Sequence, residues 1–567
     1  MKTTKNIARL AVAAGLTAAL SFGGVMAPVT MAFAVEGATT ANGSVTIENV
    51  EGNTTEFKGY QIFRADVATN GTVSNITWAN INVQNAVESF IQVEDESYAG
   101  RTAQDAADWI TKKVEGAGKT TRVEFGSIPY KIADRVDGLT ESVTTTGKTV
   151  SGLEHGYWLF VTDPGTIETG DAGTSPIFTV VGSAPVKITE KTGVPTVEKK
   201  IVSDADGMEH DAADSQIGQD VTYNLYGTVA ENFDKYGTYF YQFSDQISKG
   251  LTLQEGAKVY LYKNRNDAKA DLARKKGTDI TTNFIKSTDT AAEDGSMTTK
   301  WTCDNLKTVK GVTKDSYIVV SYTARINEHA IVAGTESNNN AVILKYSNNP
   351  MDKDSKGQTP PDTVKDYTYG LRINKVDLGT ETKLPNAQFT ITTNGDEKNE
   401  QVKYVDDKGK LSTNEVILKT NGDGVITLTG LDAGVYTVKE VSAPDGYTAV
   451  DPFTFEIRPT MTDDGPAAGL TRVTGELKTS QETKVIAGLN DTSAGKVGDN
   501  KLDFKEGTLI NTDDGTFNIT VGDTKQINLP LTGLNGVTFT WIAGGAVLCI
   551  GVAHLIRSRK RDDGSEE

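Results

Sequence analysis

Polar and apolar residues alternate in short runs along this 567-residue chain, and turn residues separate the runs. The runs at residues 317–322 and 370–376 are examples. Because successive side chains of a β-strand point to opposite faces, this alternation predicts strands with one buried face. Residues 103–114 instead repeat apolar side chains three and four positions apart, which predicts an amphipathic helix. The sequence therefore predicts an all-β protein with some helix towards its N-terminal end.

The N-terminal end has the pattern of an export signal. A basic segment at residues 2–9 precedes an apolar stretch at 10–31, and residues 32–34 read Ala-Phe-Ala. A positive segment, an apolar segment and a small-x-small site in this order are typical of a secretory signal peptide. We expect residues 1–34 to be removed after export.

The C-terminal end, residues 529–567, combines three features in a fixed order. A Leu-Pro-Leu-Thr-Gly sequence is followed by an apolar run at 537–556 and a basic cluster at 557–561. About 20 apolar residues in a helix can cross a bilayer core of about 30 Å, and the basic residues should stay cytoplasmic. The order resembles the cell-wall sorting signal of Gram-positive surface proteins, in which a sortase cleaves between Thr and Gly. The corresponding residues here are Leu529, Pro530, Leu531, Thr532 and Gly533.

Charge and composition exclude several functions. The net charge of −18 argues against nucleic-acid binding, which depends on basic patches. The two cysteines are Cys303 and Cys549, and the second lies in the apolar run, so we expect no intrachain disulfide. We find no metal-binding, phosphate-binding or hydrolase motif, and we expect neither a cofactor nor a metal.

Shifts in composition divide the exported chain into parts. We predict an N-terminal domain at residues 35–191, a second domain at 192–350 and a third at 367–528. Residues 351–366 are rich in Asp, Lys, Gly and Pro and are predicted to be a linker. Within the third part, the polar stretch 461–505 is interpreted as an insertion or long loops.

Specific motifs resemble those of one family. Residues 436–447 (YTVKEVSAPDGY) resemble the E-box of sortase-assembled pilins, and residues 195–201, 243–247 and 346–350 resemble a fimbrial domain that forms an internal isopeptide bond. From signal peptide to tail, the chain is similar to a Gram-positive major (shaft) pilin. The resemblance implies tandem immunoglobulin-like, collagen-adhesin-type β-sandwiches. It also implies that a Lys on the first strand of a domain joins an Asn or Asp on the last, beside a buried Asp or Glu.

Strand phase selects the residues for such a bond in the second domain. A lysine amine is a nucleophile only when it is neutral, and burial favours the neutral forms of both an amine and a carboxylic acid. All three residues must therefore face the core. Lys199 is in phase with its apolar neighbours, whereas Lys200 is not. By the same rule we expect Asp245 to be the promoting acid and Asn348, rather than Asn349, to be the acceptor.

The same rule applies to the third domain. Lys375 is in phase with apolar residues on its run, which makes it the expected nucleophile, and Glu440 is the expected acid. Asp523 is in phase on the last predicted strand, where the family usually has Asn, and it would release water rather than ammonia. Asn511 and Asn528 remain alternative acceptors.

A further lysine would join one subunit to the next. Shaft pilins carry a Val-x-Val-Tyr-Pro-Lys type of motif between their first two domains, and residues 186–191 read VKITEK. Lys191 has the expected place, although Thr-Glu replaces Tyr-Pro. Lys187 is the second candidate.

The resemblance implies a structural role at the cell surface. A pilin sortase would join Thr532 of one copy to Lys191 of the next, and a housekeeping sortase would attach the fibre to peptidoglycan. Expected partners are therefore both sortases, other copies of the chain, tip or basal pilins and the cell wall, and no residue identifies a host receptor. The chain should have no enzymatic activity beyond self-cross-linking. The alternative is an adhesin or accessory pilin that is anchored once and never polymerised.

Overall fold

The computed structural model describes residues 42–49, 52–116, 123–140, 143–144, 149–189, 192–332, 337–394, 402–462, 465–479, 487–489 and 516–526. The predicted signal peptide, the sorting signal, the apolar run, Lys191, Asn511 and Asn528 all lie outside these ranges. Within them, no helix is long and apolar enough to cross a membrane.

The N-terminal part is a layered β structure with helices on one side. Its elements are β1 (Gly43–Glu48), β2 (Phe57–Val67), β3 (Val73–Trp78), α1 (Ile81–Glu94), α2 (Ala103–Gly116), α3 (Ile128–Val136), β4 (Val143–Thr144), β5 (Thr149–Leu153), β6 (Gly156–Thr162), β7 (Ile177–Val181) and β8 (Val186–Thr189). The sheet β3-β2-β6-β7 packs against the helices on one face, around Val87 and Leu159. Its other face packs against the sheet β5-β1-β8, around Ile47 and Phe160.

The middle part is a β-sandwich, which we call the middle sandwich. Its elements are β9 (Val197–Val202), β10 (Glu209–His210), β11 (Ala212–Asp214), β12 (Asp220–Thr228), β13 (Tyr241–Ile247), β14 (Leu251–Leu253), β15 (Lys258–Tyr262), α4 (Arg265–Ala270), β16 (Thr278–Asp279), β17 (Ile285–Thr288), β18 (Met297–Cys303), β19 (Tyr317–Ile326), β20 (Asn338–Ser347), β21 (Lys356–Gln358) and β22 (Asp362–Tyr367). One sheet has the order β10-β9-β12-β19-β15-β16 and the other β11-β22-β20-β13-β18-β17. Aromatic side chains such as Tyr241 and Trp301 fill the core between them.

The third part is a second sandwich, which we call the C-terminal sandwich. Its elements are β23 (Tyr369–Asp377), β24 (Gln388–Thr393), β25 (Lys403–Val405), β26 (Leu411–Ser412), β27 (Leu418–Lys419), β28 (Val425–Leu431), β29 (Gly434–Ser442), β30 (Tyr447–Thr448), β31 (Phe453–Thr462), β32 (Gly469–Thr479), β33 (Ala487–Leu489) and β34 (Thr516–Lys525). The two sheets have the orders β28-β23-β34-β30 and β26-β25-β24-β29-β31-β32. The first strand, β23, pairs in parallel with the last described strand, β34.

The structure confirms the all-β tandem-sandwich class with N-terminal helices, but it corrects two local predictions. Residues 351–366 are not a plain linker, because β21 and β22 both pair with β20 in the middle sandwich. The alternation of buried Val364 and Asp366 along β22 was masked by the polar composition of this stretch. Residues 469–479, within the stretch interpreted as an insertion or long loops, form β32 and pair with β31. The remaining residues of that polar stretch are described only in part.

The middle sandwich contacts both of its neighbours. Tyr130 of α3 donates a hydrogen bond to the carbonyl oxygen of Pro350, at 3.1 Å. On the other side, the Gln216 side-chain amide donates to the Gly409 carbonyl, and its oxygen accepts from the Tyr436 hydroxyl at 3.2 Å. The middle sandwich is therefore joined to each neighbouring part by hydrogen bonds.

Candidate functional site

The core of the middle sandwich contains a lysine and a carboxyl group from opposite sheets. Lys199 lies on β9, and Asp245 lies on β13 of the facing sheet. Both side chains are buried, with exposed fractions of 0% and 1%. The neighbouring Lys200 points outward and pairs with Asp211. The strand alternation therefore delivers Lys199 into the core, as the sequence predicts.

Four polar side chains form a connected cluster in this core. The Lys199 Nζ donates to Asp245 Oδ1 and to the Tyr322 hydroxyl, the latter at 3.1 Å. The Tyr322 hydroxyl donates to Asp245 Oδ2 at 2.5 Å. The Asn340 Nδ2 donates to the same hydroxyl at 2.7 Å. We call these residues the middle cluster: Lys199, Asp245, Tyr322 and Asn340.

Burial sets the protonation of the middle cluster. Burial lowers the pKa of Lys199 to about 8, and the contact with Asp245 only partly offsets this effect. Burial likewise raises the pKa of Asp245, against the opposing effect of Lys199. Because a core of low polarity disfavours both charges, a proton transfer from the amine to the carboxylate becomes less costly. The neutral, nucleophilic form of the Lys199 amine is therefore easier to reach in this core than in water.

Asn348, the acceptor predicted from the sequence, does not lie in the middle cluster. Its side chain donates to the Asp171 carbonyl at 3.3 Å and accepts from the Ser355 hydroxyl at 2.7 Å. Asp245 on β13 pairs with Val342 on the neighbouring strand β20. At about 3.4 Å per residue, Asn348 is about 20 Å from this level along β20.

Asn340 takes the place predicted for Asn348. It has the same strand phase and is fully buried, but it lies only two residues from Val342, or about 7 Å along the strand. Strand phase shows which face of the strand a side chain occupies, but it does not show how far along the strand that side chain lies from its partner. The structure therefore brings Asn340, and not Asn348, into the cluster with Lys199 and Asp245, whereas Asn348 joins the middle sandwich to the N-terminal part.

The C-terminal sandwich contains a second cluster with the same logic. Lys375 on β23 donates to Glu440 Oε2 on β29, at 2.9 Å, and to Asp523 Oδ1 on β34. All three side chains have an exposed fraction of 0%. Glu440 is held by a second hydrogen bond from the Val450 backbone amide, at 2.9 Å. We call Lys375, Glu440 and Asp523 the C-terminal cluster, and it contains all three residues that strand phase selects.

Burial also prepares the carboxyl group of the C-terminal cluster. It raises the pKa of Asp523 to about 7, and nearby Glu440 adds to the rise while Lys375 opposes it. A protonated carboxyl group is a better electrophile for the amine than a carboxylate, because its hydroxyl can leave as water. The cluster therefore holds an amine, an acyl group and a second acid in contact, which are the groups that an amide-forming reaction requires.

Two groups of this chemistry escaped the sequence prediction. Asn340 stands in a run of three asparagines and is in phase with the apolar residues of β20, so its signal was present. Tyr322 is in phase with the buried residues of β19, and only the pairing of the sheets reveals that its hydroxyl meets Asp245. The sequence pattern alone predicts only that Tyr322 is an aromatic residue of the core.

Of the two candidate joining lysines, Lys187 lies on β8. Lys187 is 68% exposed and pairs with Glu48 at 2.8 Å. Lys191 lies outside the described residues, so its placement remains a prediction. Within the described ranges, no group of three or more His, Cys, Asp or Glu side chains could hold a metal ion.

Fold and site define a class of protein: tandem β-sandwiches, two of which hold a buried lysine in contact with carboxyl groups. Residues 370–466 match the family model described as SpaA: Prealbumin-like fold domain. The chain is 27% identical over 278 residues to the "Trypsin-resistant surface T6 protein" of Streptococcus pyogenes serotype M6, covering 42% of this chain and 48% of that protein. The chain thus spans about half the length of this curated relative.

Solved structures of pilins are also similar. The T6 backbone pilin of Streptococcus pyogenes serotype M6 aligns with a TM-score of 0.49 and 17% identity, over 87% of this chain and 100% of that one. The full-length major pilin SpaD of Corynebacterium diphtheriae aligns with a TM-score of 0.42 and 16% identity, over 86% of this chain and 98% of that one. The match to the SpaA family model and the similarity to the T6 surface protein bear out the resemblance to pilins that the sequence predicts.

Proposed function

We propose that this chain is the backbone subunit of a covalently polymerised surface pilus. We also propose that it forms one internal cross-link within each of its two sandwiches. The observation that carries the proposal is the pair of buried clusters. Each places a buried lysine amine in contact with a buried acid inside a sandwich core. A buried ion pair is weak evidence for stability alone, because its desolvation cost can exceed its attraction. A covalent product removes that cost.

The reaction in the middle cluster joins Lys199 to Asn340. The Nζ–Cγ bond forms, the Cγ–Nδ2 bond breaks, and one ammonia leaves. Asp245 takes the proton of the attacking amine through Oδ1, where the two side chains already touch, and this proton is then passed on to the departing Nδ2. The positions of the neutral amine and the acid are fixed by the sandwich, so the reaction needs no external enzyme or cofactor.

The reaction in the C-terminal cluster joins Lys375 to Asp523. The Nζ–Cγ bond forms, a Cγ–O bond of Asp523 breaks, and one water leaves. Glu440 accepts the proton of the amine through the 2.9 Å contact and passes it to the departing hydroxyl of Asp523, which leaves as water. The product ties the first strand of the sandwich to its last described strand, which already pair in parallel.

These bonds suit a subunit that carries tension. In the proposed fibre, Thr532 of one copy is joined to Lys191 of the next, so force enters near the middle sandwich and leaves beyond β34. The two internal bonds then carry the force past most of both sandwiches. The N-terminal part precedes Lys191 and lies outside this path. The name of the curated relative describes a surface protein, which supports a surface location for this chain.

Polymerisation is tested on cell-wall extracts from a host that expresses the chain with its pilin sortase. Wild type should give a ladder of high-molecular-weight bands on a denaturing gel, and Lys191→Ala should remove it. Lys187→Ala is the matched control, because Lys187 is an exposed lysine four positions away. It should keep the ladder.

The two alternatives give different results. A ladder that persists in Lys191→Ala and disappears in Lys187→Ala would reassign the joining lysine. A wild-type chain that forms both internal bonds and is found only as a single anchored species would contradict polymerisation, and it would favour a singly anchored adhesin or accessory pilin.

A further inference from the structure

We propose that Tyr322 is a catalytic residue of the middle cluster, whose hydroxyl delivers a proton from Asp245 to the amide nitrogen that leaves Asn340. This inference rests on the Lys199–Asn340 bond of the proposed function. It assigns to Tyr322 the delivery of a proton to the leaving nitrogen, a role that the lysine, the acid and the amide do not fill.

The Tyr322 hydroxyl contacts every other member of the middle cluster. It accepts from the Lys199 Nζ at 3.1 Å and from the Asn340 Nδ2 at 2.7 Å, and it donates to Asp245 Oδ2 at 2.5 Å. A tyrosine hydroxyl has one proton to donate and two lone pairs that accept. All three are used here, so the hydroxyl is a fully occupied junction between the amine, the acid and the amide.

The two oxygens of Asp245 have separate partners. Oδ1 accepts from the Lys199 Nζ, and Oδ2 accepts from the Tyr322 hydroxyl. Within the described residues, the hydrogen-bonded route from this carboxyl group to the Asn340 nitrogen passes through Tyr322. Asp245 therefore receives a proton on one side and can return one on the other only through the tyrosine.

The proton movements balance without another reactant. Asp245 Oδ1 takes a proton as the Lys199 Nζ bonds to the Asn340 Cγ. The Asp245 carboxyl group then turns so that this proton faces the Tyr322 hydroxyl, which gives its own proton to Nδ2 and takes the proton from Asp245. The Cγ–Nδ2 bond breaks and ammonia leaves. Asp245 and Tyr322 end in their starting protonation states.

The hydroxyl is held in place by the core. Tyr322 is 2% exposed. Its ring stacks on Tyr223 at 5.5 Å and 21°, and on Trp301 at 5.5 Å and 26°. The packing involves the ring alone, so Tyr322→Phe removes the junction and leaves the stacking intact. A proton donor fixed at the leaving atom is the arrangement that general acid catalysis requires.

The C-terminal cluster provides a contrast inside the same molecule. Lys375 touches Glu440 and Asp523 directly, and no hydroxyl stands between them in the hydrogen bonds of the described residues. Its reaction releases water rather than ammonia. Tyr322→Phe should therefore affect the loss of ammonia and leave the loss of water unchanged.

The experiment follows the intact mass of the purified protein with time. Wild type should already lack one ammonia and one water. Tyr322→Phe should lack the water and retain most of the ammonia, which it loses at least about 100-fold more slowly, the lower range for general acid–base catalysis. Tyr346→Phe is the control, because this buried hydroxyl on β20 has no partner among the described residues. It should behave as wild type.

A second measurement separates catalysis from folding. Tyr322→Phe and Tyr346→Phe are each combined with Asn340→Ala, so that neither protein can form the bond, and their melting temperatures are compared. Equal values within a few degrees support a catalytic role, whereas a much lower value for the Tyr322 variant would assign a structural role and overturn the proposal. Complete loss of ammonia in Tyr322→Phe at purification would also overturn it, with the proposed function intact. A wild-type protein that retains its ammonia would reject the Lys199–Asn340 bond itself.

Discussion

The C-terminal cluster makes a prediction about mechanical extension. Glu440→Gln keeps the size of the side chain and removes the acid that takes the proton of Lys375, so the bond to Asp523 should not form. Lys375 and Asp523 are 148 positions apart along the chain. At about 3.4 Å per residue, unfolding the sandwich without the bond should release about 500 Å of chain.

The same bond should alter thermal stability. Closing a loop of this length in the unfolded chain corresponds to about 5 kcal/mol in the chain-entropy treatment developed for disulfides. We therefore expect Glu440→Gln to melt at a clearly lower temperature than wild type. The variant also leaves Lys375 without one of its two acidic partners, which acts in the same direction.

Single-molecule force spectroscopy measures the extension directly. The protein is pulled from attachment points before β9 and after β34. Wild type should show no step of about 500 Å from the C-terminal sandwich, and Glu440→Gln should show one. The middle sandwich serves as the internal control, because its bond is untouched and should prevent a second long step. A step of about 500 Å in wild type, or its absence in the variant, would refute the assignment of the bond.

Other predictions concern the middle sandwich. Asn340→Ala should abolish the loss of ammonia seen in the intact mass, whereas Asn348→Ala should retain it; the reverse result would restore Asn348 as the acceptor. Burial raises the pKa of Asp366 to about 8, and nearby Asp214 adds to the rise. With an unfolded pKa of about 4, the native state holds an extra proton between these values, so the unfolding free energy of wild type should fall by about 1.4 kcal/mol per pH unit across this window. Asp366→Asn should remove this slope. Between pH 5 and pH 7, the unfolding free energy of the variant should therefore rise by about 3 kcal/mol relative to that of wild type, as measured by denaturant unfolding. Parallel pH profiles of the unfolding free energy for the two proteins would contradict the buried proton.

The alternation in the sequence was sufficient to predict which side chains enter the cores. Lys199, Asp245, Lys375, Glu440 and Asp523 are all buried where strand phase places them. Phase works because each strand has one face towards an apolar core, whatever the order of the strands. The all-β class and the N-terminal helix at residues 103–114 follow from the same local periodicity.

Properties that depend on strand pairing could not be obtained in this way. The level of Asn340 near Asp245 is set by the register of β13 and β20, which no local pattern encodes, and strand phase alone therefore pointed to Asn348. The contact of Tyr322 with Asp245 joins strands of two facing sheets. The strand β22 was mistaken for a linker because its polar residues outnumber the few apolar ones that it buries.

Covalent linkage within the subunit is the central claim, and peptide mapping by mass spectrometry tests it most directly. The purified wild-type protein is digested without reduction or other chemical treatment, and branched peptides are sequenced. We predict one branched species that joins Lys199 to Asn340 with the loss of one ammonia, and a second that joins Lys375 to Asp523 with the loss of one water. Recovery of all four residues in linear peptides of unaltered mass would contradict the account.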